Sequence, residues 1–311
     1  MTSSKNSPST SSPVPRPDWT NPEAGPPPGG PETLETLLRE GAERLADVSS
    51  CAGLEARVIL ARAAGWPAEK ILLEPPLRMI PRRTADRCRR FIAKRASGIP
   101  LAYVTGVKEF WSMPFFVSPS VLIPRPETEH LVESVLSLPR RPGEKILDLG
   151  TGSGALAAAL AREIPSAEIH AADISLRALK TARMNVIHLG LGRIRFHHSN
   201  VFSAFRSFRA EFDIIVSNPP YVATGEWASL PPDVRDHEPR RALLAGPEGL
   251  DFIRRLVRQA PRYLKRGGHL VFEFGAGQKD AVSALFGKRW SPVEIGLDLG
   301  GLARTALARL R

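Results

Sequence analysis

The chain has 311 residues, 42% of them hydrophobic, a formal net charge of +11 and only two cysteines, Cys51 and Cys88. That length holds one large domain plus a small one with a real core. Two cysteines without CxxC spacing or a Cys/His cluster argue against a disulfide framework and a metal site. No apolar run approaches the ~18 residues of a membrane span, and the excess of arginine and lysine favours an acidic or phosphate-bearing partner.

Residues 1–31 are dominated by Ser, Thr, Pro and Gly and read as a disordered tail, because so little apolar surface cannot offset the entropy of ordering. A mitochondrial presequence would carry several arginines on an amphipathic helix, whereas this stretch has only Lys5 and Arg16. From 32 to 97, TLETLLREGAERLADV and CAGLEARVILARAAG place apolar residues at three- and four-residue spacing, which predicts a small helical domain. Its last helix, Pro81 to Ala96, is crowded with Arg and Lys: a solvated face, or a docking surface for an acidic partner or RNA. Residues 98–125 form a linker, and LAYVTGVKEFWSMPFFVSPSVLIP, rich in aromatic and β-branched residues, predicts a hairpin over Leu101 to Pro124.

From 126 to 311 strands and helices alternate. A helix runs through Val135; the strands KILDL, EIHAAD, RIRFHH, DIIVS and HLVFEF follow, with helices from Ala155, from Leu176 and after Gly249. This is the pattern of an α/β fold with right-handed crossovers and a doubly wound parallel sheet. Ligands of such sheets bind at the carboxyl ends of the strands, by the switch point. There stands LDLGTGSGALA: Gly150, Gly152 and Gly154 permit sharp turning and close approach, and the following helix offers free N–H groups to an anionic moiety. Asp173, ending the next strand, can accept both hydroxyls of a ribose. The combination predicts a nucleoside cofactor, and the loop alone fits NAD and S-adenosylmethionine equally.

NPPY, Asn218 to Tyr221, decides between them. The prolines fix a rigid corner after the strand Asp213 to Ser217. The Asn218 side-chain oxygen and a proline carbonyl can each take an N–H of a planar NH2 group, while the Tyr221 ring covers its face. Such a nitrogen is a poor nucleophile, and an electrophilic methyl on a sulfonium is its natural partner; a hydride acceptor is not. Asn218, Pro219 and Tyr221 are therefore the candidate catalytic residues, and with Pro220 they form the candidate substrate site. Phe115, Arg125 and Glu127 are lesser candidates: Phe115 lines the substrate slot or packs in the hairpin, and Arg125 and Glu127 orient the corner or fix the linker. His197 and His198 are expected at the surface.

NPPY with DLGTGSG resembles the methyltransferases that modify planar amino groups, namely DNA N6-adenine and N4-cytosine enzymes and glutamine N5 protein methyltransferases. RASGIPLAYVTGVKEFWSMPFFVSPSVLIPRPETEHLV narrows this, because it resembles the signature linker of the peptide chain release factor glutamine N5-methyltransferases, the PrmC/HemK family. HEPRRALLAGPEGLDFIRRL, GGHLVFEFGAGQ and LDLGGLARTALA are similar to later family segments, so the likeness covers roughly residues 32 to 311. The resemblance implies a class I S-adenosylmethionine-dependent methyltransferase: a Rossmann-like, mostly parallel seven-stranded sheet with an antiparallel seventh strand and an N-terminal helical substrate-docking domain. It implies the glutamine of the GGQ motif in class 1 release factors as acceptor. Gly150, Thr151, Gly152, Ser153, Gly154, Asp173 and Asn218 would hold the cofactor, with Asn200 and Val201 near the adenine, where the family usually has an acidic and then an aromatic residue. The alternatives are the related ribosomal-protein glutamine methyltransferase and a DNA N6-adenine methyltransferase, the latter weakened by the lack of a target-recognition domain. The expected protein is a cytoplasmic monomer that needs neither metal nor nucleic acid.

Overall fold

The computed structural model describes residues 32–298 and 300–311; the stretch expected to be a disordered tail lies outside the described residues. α1 (Leu34–Leu45) begins at Thr33, whose hydroxyl accepts the Thr36 N–H at 3.3 Å. α2 (Ala52–Ala64), the single turn α3 (Lys70–Leu73) and α4 (Arg82–Ala96) complete a helical unit around Leu37, Leu45, Ile59, Leu60, Cys88 and Ile92. Part of the basic run on α4 is structural. Arg89 bonds Glu32 and Glu40, and the buried Arg95 bonds Glu55 and the Val48 carbonyl. Arg82, Arg83 and Arg90 remain exposed.

The linker is less of a hairpin than its composition suggests. Leu101–Thr105 is a helix, α5, because Pro100 sets its entry and Gly106, at φ 74°, closes it in the left-handed region. The hairpin proper is β1 (Val107–Phe110) and β2 (Met113–Phe116), joined through Trp111 and Ser112 at φ 51° and 52°.

After a 3-10 turn at Pro126–Thr128 come α6 (Glu129–Leu136), β3 (Lys145–Leu149), α7 (Ala155–Glu163), β4 (Glu168–Asp173), α8 (Leu176–His188), β5 (Ile194–His198) and β6 (Phe212–Ser217). α9 (Pro232–His237), α10 (Arg240–Leu243), α11 (Asp251–Gln259), β7 (Leu264–Glu273), α12 (Lys279–Ser283), β8 (Glu294–Leu297) and β9 (Ala303–Arg309) follow. The sheet order is β5-β4-β3-β6-β7-β9-β8; β3 to β7 pair in parallel, and β9 runs antiparallel to both β7 and β8. This is the mostly parallel seven-stranded sheet that the resemblance implied.

Alternate strand residues fill two cores, as the period of two requires. Ile146, Ile169, Ile214 and Val216 pack with Leu156 and Leu160, while Leu147, Ile215, Leu270 and Phe272 pack with Ile253 and Leu256 of α11. The histidine expectation is corrected here. His197 is half-buried and stacks on the fully buried His170 at 5.1 Å with ring nitrogens 2.9 Å apart, because strand alternation turns its ring inward beside Phe205. Burial pushes its pKa down to about 4.

Candidate active site

The chain lays down β3, β4 and β5 in one direction and then returns to place β6 on the other side of β3. The switch point therefore falls between β3 and β6, and the glycine loop and the NPPY corner leave these two strands side by side. Ser217 donates its hydroxyl to the Leu149 carbonyl at 2.7 Å, tying the strand ends together.

The glycine loop is held by its own backbone. Gly150 and Thr151 N–H donate to the Ala172 carbonyl at 2.8 and 3.0 Å, and Gly152 N–H donates to Asp173 Oδ2 at 3.0 Å. Asp173 Oδ1 accepts from the Ser175 N–H at 2.8 Å, so this carboxylate clamps the loop and still keeps lone pairs for a ligand. Gly154, at φ 82°, begins α7, and a Cβ there would lie 3.0 Å from that of Ala182. Asn185, fully buried on α8, donates to the Ser153 carbonyl at 2.8 Å and exchanges two bonds with Phe116, so one side chain ties the linker hairpin to the glycine loop. Beneath the loop, Thr151 Oγ1 donates to Asp148 Oδ2 at 2.6 Å, and burial pushes the Asp148 carboxyl up to about 7.

At the corner, Asn218 Nδ2 donates to Thr128 Oγ1 at 2.7 Å, and Thr128 Oγ1 donates to Glu273 Oε2 at 2.9 Å. Tyr221 donates its hydroxyl to the other oxygen, Glu273 Oε1, at 3.0 Å. Glu273 is 1% exposed, and burial raises its pKa. An ionised carboxylate only accepts. When Glu273 is ionised, Thr128 spends its proton on it and receives from Asn218, so the Asn218 amide presents NH2 to Thr128 and turns its Oδ1 the other way. Among the described residues nothing donates to Asn218 Oδ1 or to the Pro219 carbonyl. The Tyr221 carbonyl, by contrast, is taken by Gln278 Nε2 at 3.0 Å, beside Gly249, where a Cβ would strike that carbonyl at 2.2 Å.

The remaining candidates divide. Arg125 pairs with the buried Glu238, which also accepts the Ile123 N–H at 3.1 Å; it fixes the linker to the segment after the corner. Glu127 is exposed, and its charge helps to raise Glu273. Of the two readings of Phe115 the structure shows the packing one: it is fully buried against Phe110, with ring centroids 6.2 Å apart, because strand alternation turns it into the core. Asn200 is exposed and accepts from Arg255 at 2.9 Å, while Val201 is buried at φ 54°, a strained conformation for a β-branched residue. Thr128, Asn185, Glu273 and Gln278 were not singled out in the sequence. Glu273 alone had a signal: one acid inside the apolar run HLVFEF.

A doubly wound sheet whose switch point joins a glycine loop, an acid ending the next strand and an Asn-Pro-Pro-Tyr corner is the architecture of an α/β methyltransferase. The family model described as the methyltransferase small domain matches residues 128–229, and the one described as the PrmC N-terminal domain matches residues 36–106. The chain is 43% identical to the release factor glutamine methyltransferase of Koribacter versatilis, over 73% of this chain and 81% of that protein. It is 42% identical to that of Neisseria gonorrhoeae, over 82% of this chain and 93% of the other. The crystal structure of the release factor-specific protein-(glutamine-N5) methyltransferase of Alicyclobacillus acidocaldarius is 30% identical, with 63% and 99% of the two chains covered and a TM-score of 0.38. The chain belongs to the release factor glutamine methyltransferase family.

Proposed function

We propose that this chain methylates the N5 nitrogen of the glutamine amide in the GGQ motif of class 1 peptide chain release factors, with S-adenosylmethionine as donor. The observation that carries the reading is the Asn218–Thr128–Glu273 relay, which engages the Asn218 NH2 and leaves Asn218 Oδ1 and the Pro219 carbonyl with no donor among the described residues.

The loop fits a nucleoside cofactor: Gly150 and Gly154 adopt conformations that glycine alone takes easily, and the Asp173 carboxylate stands at the loop's edge. Gly150 to Gly154 and Asp173 would hold the cofactor, with Asn218 beside them and Asn200 and Val201 at the end of β5. S-adenosylmethionine, when bound, supplies an electrophilic methyl group on a sulfonium. The chain's own task is to prepare the acceptor. An amide lone pair is delocalised into its carbonyl. Asn218 Oδ1 and the Pro219 carbonyl each take one N–H, which fixes the nitrogen and favours pyramidal character. Tyr221, pinned through its hydroxyl, confines the amide plane to a near-attack geometry. No general base is invoked, since the proton is lost only after the nitrogen has become cationic.

No helix among the described residues is long and apolar enough to cross a membrane, and no cluster of three or more His, Cys, Asp or Glu there forms a metal site. A cytoplasmic monomer, with the helical unit docking the release factor, fits this reading.

The test is transfer of labelled methyl from S-adenosylmethionine to a release factor, its GGQ→GGA variant, a ribosomal protein fraction and duplex DNA, with mass spectrometric localisation. One methyl on the GGQ glutamine, absent from the variant, is expected. Methyl on adenine, with the release factor untouched, would assign the corner to a base flipped from DNA.

A further inference from the structure

α11 has two unlike faces. Ile253, Leu256 and Val257 are buried against the sheet, whereas Asp251, Arg254, Arg255 and Arg258, at i, i+3, i+4 and i+7, form a solvent-facing stripe. Arginines three and four residues apart weaken a helix by repulsion. The stripe forms one wall of a cleft of about 880 Å³, and Lys288 and Arg289 stand on its other wall. Five cations thus share the cleft with one acid, Asp251. Arg254 is engaged by Glu248 and Asp251, and Arg255 by Asn200. Arg258, Lys288 and Arg289 are exposed and have no ion-pair partner among the described residues.

The positive surface continues. Arg311 N–H donates to the Arg289 carbonyl and Ser291 N–H to the Arg309 carbonyl, each at 2.8 Å, which joins the first cleft to a second of about 370 Å³ carrying Arg266, Arg309 and Arg311. Arg266 lies in the irregular start of β7, and from His269 the regular strand runs to Glu273 at the catalytic corner, a span of roughly 13 Å at the usual strand rise. The second cleft is therefore separate from the methyl-transfer site, and the first reaches toward it only through Arg255, which bonds Asn200 beyond the end of β5.

We propose that the α11 cleft binds a single-stranded nucleic acid. Guanidinium groups pair bidentately with phosphates and stack on bases. The cleft is also lined by the apolar side chains of Val257, Pro261, Leu285 and Trp290, with Val257 and Trp290 buried beneath the exposed cations. Cations above an apolar lining suit a strand that alternates phosphates with flat, largely apolar rings. A run of acidic side chains has nothing to place on that lining. The binding is accessory, and methyl transfer does not depend on it.

The test is fluorescence anisotropy of the full chain with labelled oligonucleotides of about 12 residues, RNA in one arm and DNA in another, across a salt series. The variant Arg258→Glu/Lys288→Glu/Arg289→Glu is compared with Arg82→Glu/Arg83→Glu/Arg90→Glu on α4, which changes net charge equally. The cleft variant should lose about tenfold or more in affinity, and the slope of log K against log salt should fall by about 2, from three contacts at about 0.7 each. The α4 variant should change far less, and methyl transfer should be unaltered in the cleft variant. Preference for RNA or DNA then identifies the source of the strand. If reversal lowers thermal stability, the triple alanine variant gives the same comparison. Absence of binding by the wild type, equal loss in both variants, or equal binding of poly-glutamate that the cleft variant abolishes would each overturn the proposal, the last in favour of an acidic protein surface.

Discussion

Replacing Thr128 with valine keeps the side-chain volume and removes the hydroxyl that accepts from Asn218 at 2.7 Å and donates to Glu273 at 2.9 Å. Two losses follow, on different readouts. Asn218 is no longer told which way to face: its amide gains a two-fold flip and up to three χ1 wells, so the productive fraction falls between about twofold and sixfold. That is far below the hundredfold or more expected when an acceptor is deleted outright. Glu273 loses a hydrogen bond to its charged form, a cost of about 1.5–3 kcal/mol in folding stability. Burial raises the Glu273 pKa while the Thr128 and Tyr221 hydroxyls hold it down, so removing one of them raises it further. In the wild type the relay needs an ionised Glu273 and is lost as pH falls; in the variant Asn218 no longer answers to Glu273, so the acid limb that the relay imposes on kcat should flatten. Steady-state methyl transfer to a release factor between pH 5 and 9, with cofactor affinity measured by calorimetry, reads both effects. Cofactor affinity should hold, and Thr128→Ser should restore most of the rate. Wild-type kcat with an unchanged acid limb would refute the orienting role of the relay.

Asn218→Ala should retain cofactor binding and lose about a hundredfold or more in kcat, since it deletes the acceptor itself; a normal rate would remove the corner from the chemistry. Gly154→Ala forces a side chain onto φ 82° and brings its Cβ to 3.0 Å from that of Ala182, so denaturation should show a loss of about 1–2 kcal/mol together with weaker cofactor binding. Asp148 holds its proton up to about pH 7 in the folded chain but releases it near its ordinary value of 3.8 when unfolded. Its contribution to stability therefore falls as pH rises across that window, and Asp148→Asn should gain about 2–3 kcal/mol relative to wild type between pH 5 and pH 8. Equal differences in denaturant midpoints at the two pH values would contradict the buried, protonated Asp148.

The parts of this protein that were legible in its sequence are those in which one residue type answers one backbone demand. Glycines at 150, 152 and 154 and prolines at 219 and 220 leave few alternatives to a turn and a corner, and the strand before each is a short aliphatic run. Their adjacency then followed from the alternation of strands and helices, because the switch point of such a sheet is set by topology. Other positions answer to tertiary partners. Leu101–Thr105 has the composition of a strand and folds as a helix between Pro100 and Gly106. Phe115 and His197 are rings whose direction depends on which face of a strand the core claims. Asn185 and Gln278 look like ordinary helix-surface amides until their backbone partners, 69 and 57 residues away, are known.

Glu273 shows why an acid is buried where a neutral acceptor would cost less. A hydroxyl or an amide in its place can both give and receive, so Thr128 could turn its proton toward Asn218 and the amide could flip without losing a bond. A carboxylate removes that freedom at the end of the chain, and the direction passes back through Thr128 to Asn218 and, on its other oxygen, to Tyr221. The desolvation penalty, visible in the raised pKa of Glu273, is offset by two hydroxyl donors and by the charge of Arg304. The same acid thus sets the acceptor that would receive the substrate amide and the ring that would cover it. That coupling makes the corner rigid in direction as well as in backbone, and it predicts that Thr128, Tyr221 and Glu273 substitutions will be strongly non-additive in kcat.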